Sequence, residues 1–381
     1  MKKNDVYKDF EVLDVFKIPY YDSEGIFLRH KKSGLEVFHI LNNDEENLFA
    51  FAFRTPCKDS TGVAHIIEHS VLCGSKKFPI KDPFLQLRNQ SINTYLNAYT
   101  AKDRTVFPAS SLIKTDYFNL MSVYADAVFF PILNVETFLQ EGWRIETDQN
   151  GNPVIQGVVF NEMKGNYSSF NSVATDAVLN ASVLGTGYEK DSGGDPLEIP
   201  TLSYEQFKEF HKKYYCAANC LVFLYGNIPT EEQLDFLNEN VIKNIKSFGK
   251  KYSFDSENSF VKMKKRIDAF GPAEDSKNTM ALVWKIGDSA EKENLFSLPM
   301  EISFLSELLL GNDSAPVIKL LLNKFKGCDI APQTGCSISS RFFSIAVGMN
   351  GLKPEEAQEF QNCIDDSMKL LAENGIKEED I

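Results

Sequence analysis

Histidine is scarce in this chain, five in 381 residues, yet two of the five stand four apart in "HIIEHSVLCGS", residues 65–75, with Glu68 between them. Ile-Ile and Val-Leu beside them predict a half-buried helix, and burying unpaired polar groups is costly. On a helix, residues i and i+4 lie one turn apart on the same face. His65 and His69 can therefore offer two ring nitrogens to one metal ion. Glu68, at ~100° per residue, borders that face from one flank. Zinc suits such a site: three protein ligands leave one position for water, whose pKa falls to ~7. Glu68 would take that water's proton during attack on a carbonyl and pass it to a leaving amine.

The same three groups occur as H-E-x-x-H in metalloproteases, where the glutamate lies on the opposite flank, and as H-x-x-E-H in inverzincins. The bland alternative is an exposed histidine pair. A third ligand is needed, and Glu162 in "QGVVFNEMKG" is the candidate. It follows a buried-looking strand at the expected start of a helix, where an anionic side chain also suits the helix dipole. Ligand and helix-terminal glutamate both remain open on the residues alone. His30, His39 and His211 fall in ordinary strand and helix patterns and read as surface or core histidines.

The elements around these residues follow from periodicity. "GIFLRH", "LEVFHIL" and "LFAFAFR" read as strands. Asp59, Ser60 or Thr61 is expected to cap the helix of His65 and His69, which should end near Leu72 and stop at Gly74. "KDPFLQLRNQ" reads as a short helix, and "TYLNAYTA" and "TVFPAS" as strands, with Pro108 marking an edge or a break. A helix from Thr115 to Phe130 should bury Phe118, Met121 and Val128. "PVIQGVVF" reads as one strand and "NEMKGNYSSFNSVATDAVL" as one helix opened by Asn161. Ser203–Gln206 and Thr230–Gln233 read as capping boxes flanking the strand "NCLVFLYG", with Leu202 and Phe207 as a hydrophobic staple. After residue 278 the pattern restarts with "TMALVWKIG", "MEISFLSELLLG", "SAPVIKLLLNKF", "RFFSIAVGMNG" and "PEEAQEFQNCIDDSMKLLAENG".

This is an α+β chain with a faint internal duplication: two related α/β-sandwich units of mostly antiparallel sheet packed with helices. Superposing Gly74 on Gly311 puts Ile302, Leu305 and Ser306 where His65, Glu68 and His69 stand, so only the first unit carries chemistry. The expected organisation is a catalytic domain over 1–250, a polar linker over 251–278 and an inactive domain over 279–381 that looks unfinished. A net charge of −13 argues against nucleic-acid binding. The N-terminus has no apolar core of a secretory signal, and no run is long enough for a membrane span. Seven scattered cysteines read as reduced thiols, Cys216 and Cys220 among them in the core, in a cytoplasmic protein.

"HIIEHSVLCGSKKFPIKDPF", "LNAYTAKDRTVFP", "YADAVFFP", "EGWR" and "GVVFNEMKG", in that order, resemble the presequence protease and falcilysin branch of the pitrilysin-type metallopeptidases. The resemblance spans essentially the whole chain but only the first half of the family pattern, whose members are more than twice as long. It implies that His65 and His69 hold zinc, that Glu68 is the base and that Glu162 is the distal ligand. It implies, too, that Asn97, Ala98, Tyr99 and Thr100 form a sheet edge on which substrate lies as an added strand. A tyrosine and an arginine that the family's second half brings to the site have no counterpart here. The expectation is a zinc endopeptidase of unstructured peptides, one zinc per chain, or its catalytic half completed by further sequence or a second chain. The alternative is a non-catalytic peptide-binding subunit or inactive fragment.

Overall fold

The computed structural model describes residues 1–81, 83–253, 268, 278–291 and 297–376. The expected linker, apart from its few described positions, lies outside them. The described chain divides into two compact units. The first gathers Met1–Met163 and Asp191–Phe254; the second gathers Lys164–Lys190 and the described part of Asp255–Ile381. Residues 164–190 thus leave the first unit and return to it.

The first unit is built on a nine-stranded sheet. Its strands are β1 (Val6–Tyr7), β2 (Phe10–Ile18), β3 (Ser23–His30), β4 (Glu36–Leu41), β5 (Asn47–Arg54), β6 (Asn93–Leu96), β7 (Tyr99–Thr100) and β8 (Arg104–Ser111), with a late strand, β11 (Cys220–Gly226). That late strand lies between β4 and β5, parallel to the first and antiparallel to the second. Helices α1 (Val63–Val71), α2 (Pro83–Gln90) and α3 (Lys114–Phe129) lie between strands in sequence. α3 packs on β5 and β8. Its buried face carries Tyr117, Leu120, Met121, Tyr124 and Val128, while Phe118 is only half-buried. The rings of Tyr117 and Tyr124 each meet Phe49 edge-on at 5.5 Å, a favoured aromatic arrangement.

Pro108 causes a break, but in its neighbour rather than in β8. β8 is an inner strand, paired with β5 on one side and with β6 and β7 on the other. Asn97 N–H donates to Pro108 O at 3.2 Å, but proline has no N–H to return the bond. The Asn97 carbonyl instead accepts from the Tyr124 hydroxyl at 3.1 Å. The expected single strand over "TYLNAYTA" is therefore two, β6 and β7, interrupted at Asn97 and Ala98.

Beyond α3 come α4 (Val135–Glu141), the hairpin of β9 (Arg144–Thr147) and β10 (Pro153–Gln156), α5 (Val158–Tyr167) and α6 (Phe170–Ala181). Two expectations fail here. "PVIQGVVF" stays a strand only to Gln156, and Val158–Phe160 are already helical, so Asn161 sits inside a helix it does not open. The single helix after Asn161 is two, because Ser169 caps a new one by accepting from Ser172 N–H. α7 (Tyr204–Tyr214) has the expected Ser203–Gln206 capping box, and Leu202 and Phe207 are both buried. α8 (Thr230–Asn240) has no such box: Pro229 takes the cap position. Thr230 and Gln233 turn inward to the buried ring of His39, which lies 2.8 Å from Thr230 Oγ1 and accepts from Gln233 Nε2 at 3.4 Å. Gln233 also accepts from the Tyr117 hydroxyl. A polar core residue needed partners, and cap-like residues became those partners.

The second unit holds a four-stranded sheet of β12 (Thr279–Asp288), β13 (Asp329–Ile330), β14 (Gly335–Ser337) and β15 (Phe342–Asn350), the last pairing with each of the others. α9 (Ser297–Leu310), α10 (Pro316–Lys324) and α11 (Ala357–Asn374) accompany it. Val317, Ile318, Leu321, Val347, Met349, Phe360 and Ile364 form its core. Ile302, Leu305 and Ser306 lie on α9, and none is a metal ligand type. Both units thus mix sheet and helix as the fold class requires.

Burial pushes the His39 imidazole down to about 4, against a weaker pull from a Gly226 backbone hydrogen bond. The folded state therefore refuses a proton that the unfolded chain takes up below its ordinary pKa of ~6.5. Stability contributed by neutral His39 is present above that pH and drains away down to about 4. Urea unfolding at pH 7 and pH 4.5 should show H39N losing about 2–3 kcal/mol less over this interval than the unaltered chain.

Candidate metal centre

α1 starts without a side-chain cap. Gly62 takes the cap position, while Asp59 Oδ1 accepts from the N–H and the hydroxyl of Thr61, so none of the three expected caps serves. Ala64, Ile66, Ile67 and Val71 are buried, and α1 packs against α4, α7, β7 and β8. That leaves His65, Glu68 and His69 on the remaining face.

Glu162 reaches this face through a close backbone crossing. A Cβ on Gly157 would lie 2.0 Å from the Gly142 carbonyl oxygen, so no larger residue fits. Gly142 in turn passes close to Ile66 of α1. The crossing sets the start of α5 against the end of α4 and explains why the strand "PVIQ" ends where it does. Glu162 lies in the second turn of α5, so the helix-dipole argument for it does not apply.

The geometry brings the three proposed ligands together. Glu162 Oε1 lies 3.8 Å from His65 Nε2, and Oε2 lies 3.8 Å from His69 Nε2. One ligand atom from each residue falls within 4.8 Å of the others. Ligands about 2.0–2.2 Å from one zinc ion would lie roughly 3.3–3.6 Å apart, so a small inward adjustment suffices. The Nδ1 atoms face away. His65 Nδ1 lies 3.1 Å from the Gly193 carbonyl and His69 Nδ1 lies 3.4 Å from Glu141 Oε2. Both partners can only accept, so each Nδ1 carries a proton, and in the neutral ring each Nε2 is then the lone pair on the Glu162 side. Outer hydrogen bonds of this kind orient histidines toward metals.

Glu68 is 7% exposed, and Thr100 Oγ1 donates to its Oε2 at 2.6 Å. Burial raises its pKa, opposed by the Thr100 bond and the two imidazoles. Burial disfavours charge on His69 too, but the Glu141 hydrogen bond and the surrounding carboxylates outweigh it and raise the pKa. Glu141 itself is held low despite burial, chiefly by its bonds to His69 and Gln140. The result is a carboxylate of raised proton affinity beside a pocket of three metal-type donors.

Of the segment Asn97–Thr100, only Thr100 is bonded to the central groups. Tyr99 and Thr100 form β7, whose single partner strand among the described residues is β8, so the opposite edge is open. Sequence reasoning left Glu141 and Gly193 without roles. Glu141 opens "EGWR", but nothing in its spacing to His69 marks it. The second acts through its main chain, which no residue pattern reveals.

Residues 54–175, which include His65, Glu68, His69 and Glu162, match the family model described as Insulinase (Peptidase family M16). Residues 201–381 match the Peptidase M16 inactive domain. The chain is 38% identical over 385 residues to Protein HypA of Clostridium perfringens, covering 99% of this chain and 39% of that protein. It is 34% identical over 381 residues to the mitochondrial presequence protease of Xenopus laevis, covering 98% and 37%. The chain thus spans about two fifths of the length of these curated relatives. The solved structure of pitrilysin superposes with a TM-score of 0.61 and 18% identity over 98% of this chain and 39% of the other, a likeness of fold.

Replacing Glu141 with Leu removes the acceptor for His69 Nδ1. Chelator competition should show affinity for a divalent zinc ion falling ~10–100-fold, with E141Q, which keeps an acceptor oxygen, falling less.

Proposed function

The chain belongs to the M16 peptidase family, and we propose that it carries the catalytic centre of a zinc endopeptidase acting on short unstructured peptides. The convergence of His65 Nε2, His69 Nε2 and Glu162 on one point is the observation that carries this reading. A zinc ion held by those three would supply Lewis acidity to water and to the scissile carbonyl. Glu68 takes a proton from the attacking water and returns it to the leaving amine. Thr100 steadies one oxygen of Glu68 and leaves the other for that work.

Peptide binds as an added strand along Asn97, Ala98, Tyr99 and Thr100. The open edge of β7 supports this, since main-chain pairing holds many sequences with little side-chain preference. The interruption at Pro108 leaves the Asn97 carbonyl tied to Tyr124, so the edge has a fixed step three residues before Thr100, the residue that bonds Glu68. The chain spans 39% and 37% of two relatives' lengths, and the working enzyme in this reading includes further sequence or a second chain. No helix among the described residues is long and apolar enough to cross a membrane. All seven cysteines are free thiols, which suits a reducing compartment such as the cytoplasm.

Metal analysis and peptide digestion test the reading. The unaltered chain should hold about one zinc, and H65A or H69A should lose it. E68Q should keep zinc and peptide binding while cleavage falls by ~10²-fold or more. A chain that holds no zinc ends the proposal. A zinc-bound chain that binds peptide yet cleaves nothing, even with a complementing second half, identifies the non-catalytic peptide-binding subunit instead. Peptides N-methylated along one edge should compete poorly with unmodified peptide in fluorescence-anisotropy titration, as main-chain pairing requires.

A further inference from the structure

The stretch "DSGGDPLEIP", residues 191–200, has so far supplied one carbonyl to the site. Here the chain re-enters the first unit after residues 164–190, and it crosses the start of α1 at once. Asp191 N–H donates to Ser60 Oγ at 3.2 Å, and Asp195 N–H donates to Ser60 O at 2.8 Å. Ser60 N–H donates to Glu198 Oε2 at 3.0 Å. Inside this staple, Gly193 N–H donates to Asp191 Oδ1 at 2.8 Å. That bond fixes the turn whose carbonyl faces His65 Nδ1 at 3.1 Å.

The crossing leaves little slack. A Cβ on Gly62 would lie 2.6 Å from the Gly193 oxygen, and one on Gly194 would lie 3.0 Å from Gly62 Cα. The two backbone segments touch without side chains between them, so the direction of the Gly193 carbonyl depends on the turn that Asp191 holds. We propose that Asp191 is a positioning residue of the metal centre. By fixing the Gly193 peptide, its carboxylate keeps the His65 proton on Nδ1 and leaves Nε2 as the metal-facing lone pair. The inference rests on the metal reading given under the proposed function, and extends it to a residue 126 positions from His65 in sequence, 191 against 65.

The test uses the full chain, with D191A and D191N beside the unaltered protein. Nitrogen-15 NMR of metal-free protein reads the tautomer of His65, and chelator competition reads zinc affinity. D191A should move His65 from the Nδ1–H form to a mixture and weaken zinc binding ~10-fold or more. D191N keeps an oxygen that accepts from Gly193 N–H, so it should restore most of both. A role confined to loop stability would lower the melting temperature of D191A and leave the metal-free tautomer of folded protein unchanged; that result overturns the proposal. So does a D191N chain as impaired as D191A. An unaltered chain that binds no zinc defeats the metal reading, whereas the metal-free tautomer still decides the part played by Asp191.

Discussion

The centre depends on a division of labour within each imidazole ring. An imidazole offers a metal a lone pair only on the nitrogen that lacks a proton, and the proton must rest somewhere. It rests on Nδ1, on the outer side of His65 and His69, where the Gly193 carbonyl and the Glu141 carboxylate accept its hydrogen bond. Glu162 meets the inner nitrogens. Three chain segments far apart in sequence therefore have to arrive around one helical turn. The glycine crossing of residues 142 and 157 and the return of the chain at Asp191 are how two of them arrive.

Much of this was legible in advance, and the reasons differ by residue. His65, Glu68 and His69 were readable because helical periodicity alone puts them on one face. Glu162 was readable only as a choice between two roles, since nothing local says what a glutamate 93 positions beyond His69 will meet (162 against 69). Glu141 and Gly193 were not readable, one being an ordinary acidic residue and the other acting through its backbone. Strands beside the site were found by alternation, but their ends were set by contacts no window contains. "PVIQGVVF" has a good strand pattern throughout, yet the close approach at Gly157 ends it. Thr230 and Gln233 have the spacing of a cap, yet the buried His39 ring claims them.

The same competition governs the other histidines. His39 and His211 are both driven down to about 4 by burial, and each has hydrogen-bond partners: Thr230 and Gln233 for the first, the Val128 carbonyl for the second. His39 is a core residue that happens to be an imidazole, and His211 is a half-buried helix residue bonded to the backbone. What separates them from His65 and His69 is the surrounding charge: carboxylates gather around the α1 pair, and neutral groups around His39.

The strand Cys220–Gly226 has a consequence for how the protein is made. It lies between β4 and β5 and pairs with both, although those two are neighbours in sequence. As the chain leaves the ribosome, β4 and β5 each wait with an unmatched inner edge until some 165 further residues have been synthesised, 220 against 54. Such non-local pairing slows folding and leaves strand edges open to wrong partners. The strand that closes the sheet follows Asp191–Pro200 in the chain, so the sheet becomes continuous only after the last contributor to the histidine site has emerged.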